Sequence, residues 1–116
     1  MKRLRRVASL ASLSFLSLAG DVWADPFDGR WDGSATATSG RCRPAPVTIT
    51  VDKMVGIGQV EFQRGTQDIR GTLTKDGAFG ATIGFEHLTG TFVRDMFEGN
   101  FKGDDCVWKM LLKRTK

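Results

Sequence analysis

The chain has 116 residues, 17 basic and 13 acidic, with a net charge of +4 and 41% hydrophobic residues. Most of that charge sits at the start: Lys2, Arg3, Arg5 and Arg6 against Asp21 account for three of the four net charges. The remaining chain, at +1, makes no electrostatic case for nucleic acid or for an anionic membrane surface.

The basic start is followed by an uncharged run, Val7 to Ala19, rich in Leu and Ala, and then by Val22-Trp23-Ala24, which fits a small-x-Ala cleavage site. This three-part pattern predicts a secretory signal peptide over residues 1–24, cleaved after Ala24. The apolar run is shorter than the roughly 20 residues a membrane span requires. Arg5-Arg6 lacks the apolar pair expected of a twin-arginine signal, so the general secretory route is preferred. The processed chain is therefore expected in the periplasm or secreted, with no stable membrane insertion. Residues 25–116 suit one domain, not two. A domain of this size often needs a staple. Cys42 and Cys106, the two cysteines, read as a disulfide in an oxidising compartment. No Cys-x-x-Cys is present to suggest a metal pair.

After the leader the recurring pattern is period-two alternation cut by glycine, the signature of strands. Trp31, Gly33, Ala35 and Ala37 share one face of a first strand. Val47, Ile49 and Val51 define a second. In the third, Val55 and Ile57 set one phase and Val60 and Phe62 the other, which predicts a bulge at Gly58-Gln59. Ile69, Gly71 and Leu73 define the fourth strand, and Phe79, Ala81, Ile83 and Phe85 the fifth. Leu88, Gly90 and Phe92 define the sixth, Phe97, Gly99 and Phe101 the seventh, and Cys106, Trp108, Met110 and Leu112 the eighth. Turns are predicted at Arg64-Gly65, Lys75-Asp76-Gly77, Arg94-Asp95 and Gly103-Asp104-Asp105, with Asp76-Gly77 as a two-residue hairpin signal. Pro44 and Pro46 keep the Gly40–Pro46 break out of a central strand. A weak repeat of about 19 residues relates Ile69-Arg70-Gly71-Thr72-Leu73 to Leu88-Thr89-Gly90-Thr91-Phe92. One hairpin per unit makes a meander.

The expected fold is an all-β, eight-stranded antiparallel up-and-down barrel, with a two-sheet sandwich as the alternative. Closure removes both exposed edges. It requires the eighth strand to run antiparallel to the first, which would put Ala35 and Ala37 across from large residues such as Trp108 and Met110 and the disulfide at that seam.

Candidate chemistry is sparse. His87, the one histidine, is read as a surface residue in a turn. Ser34 and Ser39 are the serines beyond the leader, and no triad assembles. Asp104-Asp105, and Asp28 and Asp32 around Trp31, lack the spacing of a calcium loop, and nothing selects a glycosidase-like pair. Gly56-x-Gly58 lacks the helix a phosphate loop needs. Arg41, Arg43, Lys109, Lys113, Arg114 and Lys116 form either a local basic patch or a scattered solvated surface. The expectation is a non-catalytic protein with no cofactor and no metal. Trp31, Trp108 and seven phenylalanines fall mostly on inner faces, as in a filled core or a ligand cup. Phe27 and Met96 are expected at the surface. Phe27, Trp31, Met96 and Trp108 are thus the candidate contacts for an unidentified protein partner or a small apolar ligand.

Several motifs together are familiar: Phe27-Asp28-Gly29-x-Trp31-x-Gly33, Cys42, Pro46-Val47-x-Ile49-x-Val51, the Gly-Thr-Leu and Gly-Thr-Phe hairpins, and Cys106-x-Trp108-x-x-Leu111-x-x-Arg114. The ensemble resembles short exported bacterial two-cysteine meander β proteins of uncharacterised function, which implies a fold and a compartment and no catalytic residues. Gly29-Arg30-Trp31 also resembles the opening of small periplasmic metalloprotease-inhibitor barrels. That resemblance implies protease inhibition through an N-terminal arm, for which Asp25 to Asp28 are the available residues.

Overall fold

A computed structural model of the chain describes residues 25–116; the leader segment falls outside the described residues. Eight strands follow in order: β1 (Gly29–Ser39), β2 (Ala45–Asp52), β3 (Val55–Phe62), β4 (Gly65–Leu73), β5 (Ala78–Ile83), β6 (Glu86–Val93), β7 (Met96–Lys102) and β8 (Val107–Arg114). Each pairs antiparallel with the next, and β8 pairs with β1, closing the barrel. The sandwich alternative is excluded. The seam register runs from Trp31 opposite Arg114 through Ala35 opposite Met110 to Ala37 opposite Trp108, so the two alanines do face large residues. Beyond Ala37 the register shifts, and Ser39 faces Val107. Just past this point Cys42 is bonded to Cys106, their Cα atoms 6.4 Å apart.

Alternation decides what is inside. Inward positions of all eight strands form one apolar core, and no polar or charged residue of the described chain is buried. An eight-stranded barrel is just wide enough for side chains to fill. Trp31, Phe79, Phe92 and Phe97 fill half of it as a mutually edge-on or tilted cluster, with Trp31 and Phe92 centroids 4.7 Å apart and Phe92 and Phe97 4.5 Å apart. Glycines make room for these rings. A Cβ on Gly56 would lie 2.9 Å from the Phe79 ring, and one on Gly99 would lie 2.7 Å from the Phe97 ring. Large beside absent is how this tight interior reaches close packing.

Five sequence readings need correction. Pro46 is not outside the sheet: it lies in β2 opposite Ser34, so the break ends before Ala45. The β2–β3 and β3–β4 registers are continuous, so no bulge interrupts Gly58-Gln59. Gly56, Gly58, Val60 and Phe62 share the inner face, while Val55 and Ile57 point to solvent. Glycine carries no hydropathy and so hid the phase. The Asp76-Gly77 hairpin is longer than two residues: Gly77 N donates to Thr74 O, Thr74 N donates to Ala78 O, and Gly77 alone takes the left-handed conformation (φ +95°). Phe85 does not continue β5; it sits with Gly84 in the β5–β6 turn, fully exposed. His87 is correspondingly not in a turn but exposed on β6, opposite Thr82.

Two outcomes follow from this packing. Replacing Cys42 and Cys106 together by Ala removes a cross-link spanning 64 residues and lowers the unfolding free energy by roughly 2–4 kcal/mol in urea titrations; an unchanged midpoint contradicts the staple. Gly99→Ala forces a methyl against the Phe97 ring and costs about 1–3 kcal/mol in the same assay.

Candidate functional site

The two ends of the barrel are built differently. One end gathers the start of β1, the β2–β3, β4–β5 and β6–β7 turns and the end of β8. It is sealed. Phe27 folds under it onto Phe92, with centroids 5.9 Å apart, and its carbonyl accepts a hydrogen bond from Trp31 Nε1 at 3.0 Å. Arg114 ties the seal together. Its guanidinium lies 4.8 Å from the Trp31 ring centroid, donates to the carbonyls of Pro26 (2.8 Å), Asp28 (3.0 Å) and Arg94 (3.2 Å), and pairs with Asp95 at 2.9 Å. Asp28 in turn accepts from Lys53 N at 3.0 Å. Thus Phe27 is not a free surface residue. The Asp25–Asp28 segment, expected to supply an inhibitor's arm, is bonded onto the barrel.

Beside this end, on the outer face, the Asp32 carboxylate joins three segments. It accepts from Thr48 on β2 (2.8 Å), from Thr115 just beyond β8 (2.6 Å) and from Arg30 (3.0 Å). The Thr115 and Thr48 hydroxyls, followed by the Arg30 guanidinium, hold its pKa below the usual carboxylate value of 3.8. Thr74 lowers that of Asp76 in the same way within the β4–β5 turn.

The opposite end gathers the β1–β2, β3–β4, β5–β6 and β7–β8 connections and is open. A cup of about 740 Å³ occupies it. Its floor is the partly exposed Phe62, with Phe101, Trp108 and Ile83 nearly buried beneath the opening. Phe101 and Trp108 stack at 5.7 Å with an interplanar angle of 7°, and Phe62 meets Trp108 edge-on at 5.2 Å. The rim carries Arg41 and Arg43 on either side of Cys42, Asp104 and Asp105 beside them in the loop that the disulfide joins to theirs, Arg64 in the β3–β4 turn, and Glu86 across the opening at the start of β6. Among the described residues no ion pair within 4 Å engages any of these six charges. Gly40 takes a left-handed conformation (φ +94°) where the β1–β2 loop presses against Cys106, so the disulfide and this glycine together hold the Arg41–Arg43 loop at the rim.

The four contact candidates are therefore not brought together. Phe27 and Trp31 belong to the seal, Trp31 with no exposed surface. Met96 is 45% exposed beside Val93 on the outer face at the sealed end. Trp108 alone lies in the cup. The six basic residues do not form one patch either: Arg41 and Arg43 are at the mouth, Lys113, Arg114 and Lys116 are near the seal, and Lys109 pairs with Glu98 at 3.2 Å between them. Sequence reasoning missed Phe62, Arg64 and Phe85 at the mouth. Gly84 before Phe85 was the available signal, since glycine at the first central position favours a two-residue hairpin.

Nothing resembling a catalytic cluster appears among the described residues. No group of three or more His, Cys, Asp or Glu side chains could hold a metal there. His87 lies on β6, three strands around the barrel from Ser34 on β1. Fold and site together define a closed up-and-down barrel with one sealed and one open end. Compared with protein-family models, curated proteins and solved structures, the chain finds no match.

The Asp32 cluster predicts a pH dependence. Its folded-state pKa lies below the unfolded value of 3.8, so its stabilisation is complete above that value and is lost as the pH falls through the lower, folded pKa. Between about pH 5 and about pH 2 the thermal midpoint of the native chain should fall further than that of Asp32→Asn; parallel curves for the two would refute the assignment.

Proposed function

We propose that the protein is a non-catalytic binding module of the cell envelope that seats a small apolar ligand in its open mouth. The observation that carries this reading is the contrast between the ends. Aromatic rings fill and seal one half of the barrel, while the other half ends in an aromatic-floored cup rimmed by charges that form no close ion pair. The cup's volume is in the range of small-molecule sites, and apolar walls with a few polar groups at the edge are their usual composition. The outer face of the strands is largely polar, with Asp32, Thr48, Gln59, Arg70, Thr82, Thr89 and Asn100, among which Val55, Ile57, Val93, Met96, Val107 and Leu111 are exposed singly or in small groups. That polar exterior around an apolar interior supports a chain working in water, since a membrane barrel has the opposite arrangement. The disulfide fits an oxidising compartment. Together with the signal peptide expected from the sequence over residues 1–24, it supports a reading of export to the periplasm or beyond.

A second reading is a protein partner gripping the loops and rim. Phe85 favours it, because a fully exposed aromatic at a hairpin tip is the residue type that anchors protein interfaces.

Titration with the neutral dye phenylnaphthylamine separates the two. Uptake should saturate at one dye per chain and quench Trp108. Ile83→Asp, which puts a charge in the floor, should weaken it by roughly tenfold or more. Absence of saturable uptake removes the cup reading and leaves the Phe85 rim as the surface to test.

A further inference from the structure

Resting on the mouth as the ligand site, we propose that its ligand is a compact apolar anion, a small free acid whose body lies on Phe62, Phe101 and Trp108 and whose carboxylate meets Arg41, Arg43 and Arg64. Three features of the mouth carry this.

The first is depth. One inward position below Phe62 and Trp108 the barrel is solid: Val60 and Met110, like Leu88 below the Glu86 rim, have no exposed surface. A long acyl chain has no channel to follow, whereas one or two rings or a short branched body cover the floor.

The second is charge layout. The three arginines occupy the two neighbouring connections β1–β2 and β3–β4, Asp104 and Asp105 stand beside Arg41 and Arg43 in β7–β8, and Glu86 opens β6 on the far side. The rim is therefore balanced in number of charges. Reach breaks the symmetry between the two signs. An arginine lays a long apolar stem along the floor and brings a planar fork of donors over it. Asp104 and Asp105 have one methylene each and stay at their turn. Phe62, the partly exposed ring of the floor, directly precedes the Gln63-Arg64 turn, so the accessible apolar surface lies beside Arg64.

The third is pre-organisation. Arg41 and Arg43 flank a disulfide-bonded cysteine, so part of their ordering cost is met before any ligand arrives. A guanidinium fork matches a carboxylate bidentately, which a lone ammonium does not.

The test compares three ligands of one shape, naphthoate, naphthamide and naphthylmethylammonium, on the disulfide-bonded processed chain. Binding is read by Trp108 fluorescence and by backbone amide shifts that locate it. Naphthoate should bind roughly tenfold more tightly than either partner. That advantage should shrink with added salt and vanish in the double variant Arg43→Gln/Arg64→Gln. Both substitutions are at the exposed rim, and an unchanged thermal midpoint verifies that the variant is folded. Equal binding of all three, or tightest binding of the ammonium ligand, with shifts at the mouth overturns the anion assignment and leaves the mouth as the site. If none of the three shifts the mouth amides, both the anion assignment and the cup reading fall.

Discussion

The pairing of β8 with β1 is the constraint on which the rest of the molecule depends. Without it the sheet would carry two open edges and a face of exposed aromatic rings, and β-strands in that condition pair with other chains. Backbone bonds alone do not make this seam, which joins segments some 80 residues apart and so carries a closure cost local hairpins do not. Side chains therefore concentrate along it. Asp32 binds β2, β1 and the segment after β8 into one outer-face cluster, Arg114 grips the chain ahead of β1, and the disulfide joins the two strands at the far end. Ala35 and Ala37 on the inner face are small because Met110 and Trp108 stand opposite.

The two ends follow from how a limited supply of large side chains is distributed. Trp31, Phe79, Phe92 and Phe97 all point into one half, and Phe27 adds a fifth ring from below. Burying a ring of this size is worth about 1.5–3 kcal/mol, so concentrating them gives that half most of the apolar stabilisation. The glycines facing those rings are the corollary. What remains for the other half is Phe62, Phe101 and Trp108, enough for a floor and not for a plug. An open cup is thus the consequence of a core completed elsewhere.

Much of this could be read from residue order, and the failures share a cause. The strand count, the meander, the Ala–Trp and Ala–Met pairs across the seam and the Cys42–Cys106 bond all rest on alternation of strongly apolar residues, which survives translation into three dimensions. Errors arose where glycine replaced an apolar residue on the inner face. At Gly56 and Gly58 the outward Val55 and Ile57 were the only apolar signal, and the phase was read backwards. The β5–β6 turn, expected at His87, falls instead at Gly84-Phe85; a glycine next to a phenylalanine reads as a continuation of the fifth strand. The division between sealed end and mouth was not legible at all, because it depends on which rings from distant strands meet at the same height. Arg41 and Arg114 looked alike as surface cations. Only the register separates an arginine at a rim from one whose guanidinium is consumed by three carbonyls, a carboxylate and an indole.

The placement of the single disulfide has a physical logic within this arrangement. At the sealed end the closing strands are held by hydrogen bonds that Trp31 and Arg114 make with the carbonyls of Phe27 and Asp28, and those two bonds are partly shielded from water. The mouth has no such option. A network of polar cross-ties over an apolar floor would fill the opening, and in contact with solvent each tie would contribute little. A covalent bond does not weaken on exposure, and it takes up only two small side chains at one edge. Placed between Cys42 and Cys106, it closes the seam at the end where hydrogen bonding is least effective. It also leaves the cup clear and fixes the backbone of the Arg41–Arg43 loop in the same act. Closure of the fold and construction of the rim are therefore one interaction, and the sequence between Gly40 and Ala45 serves both.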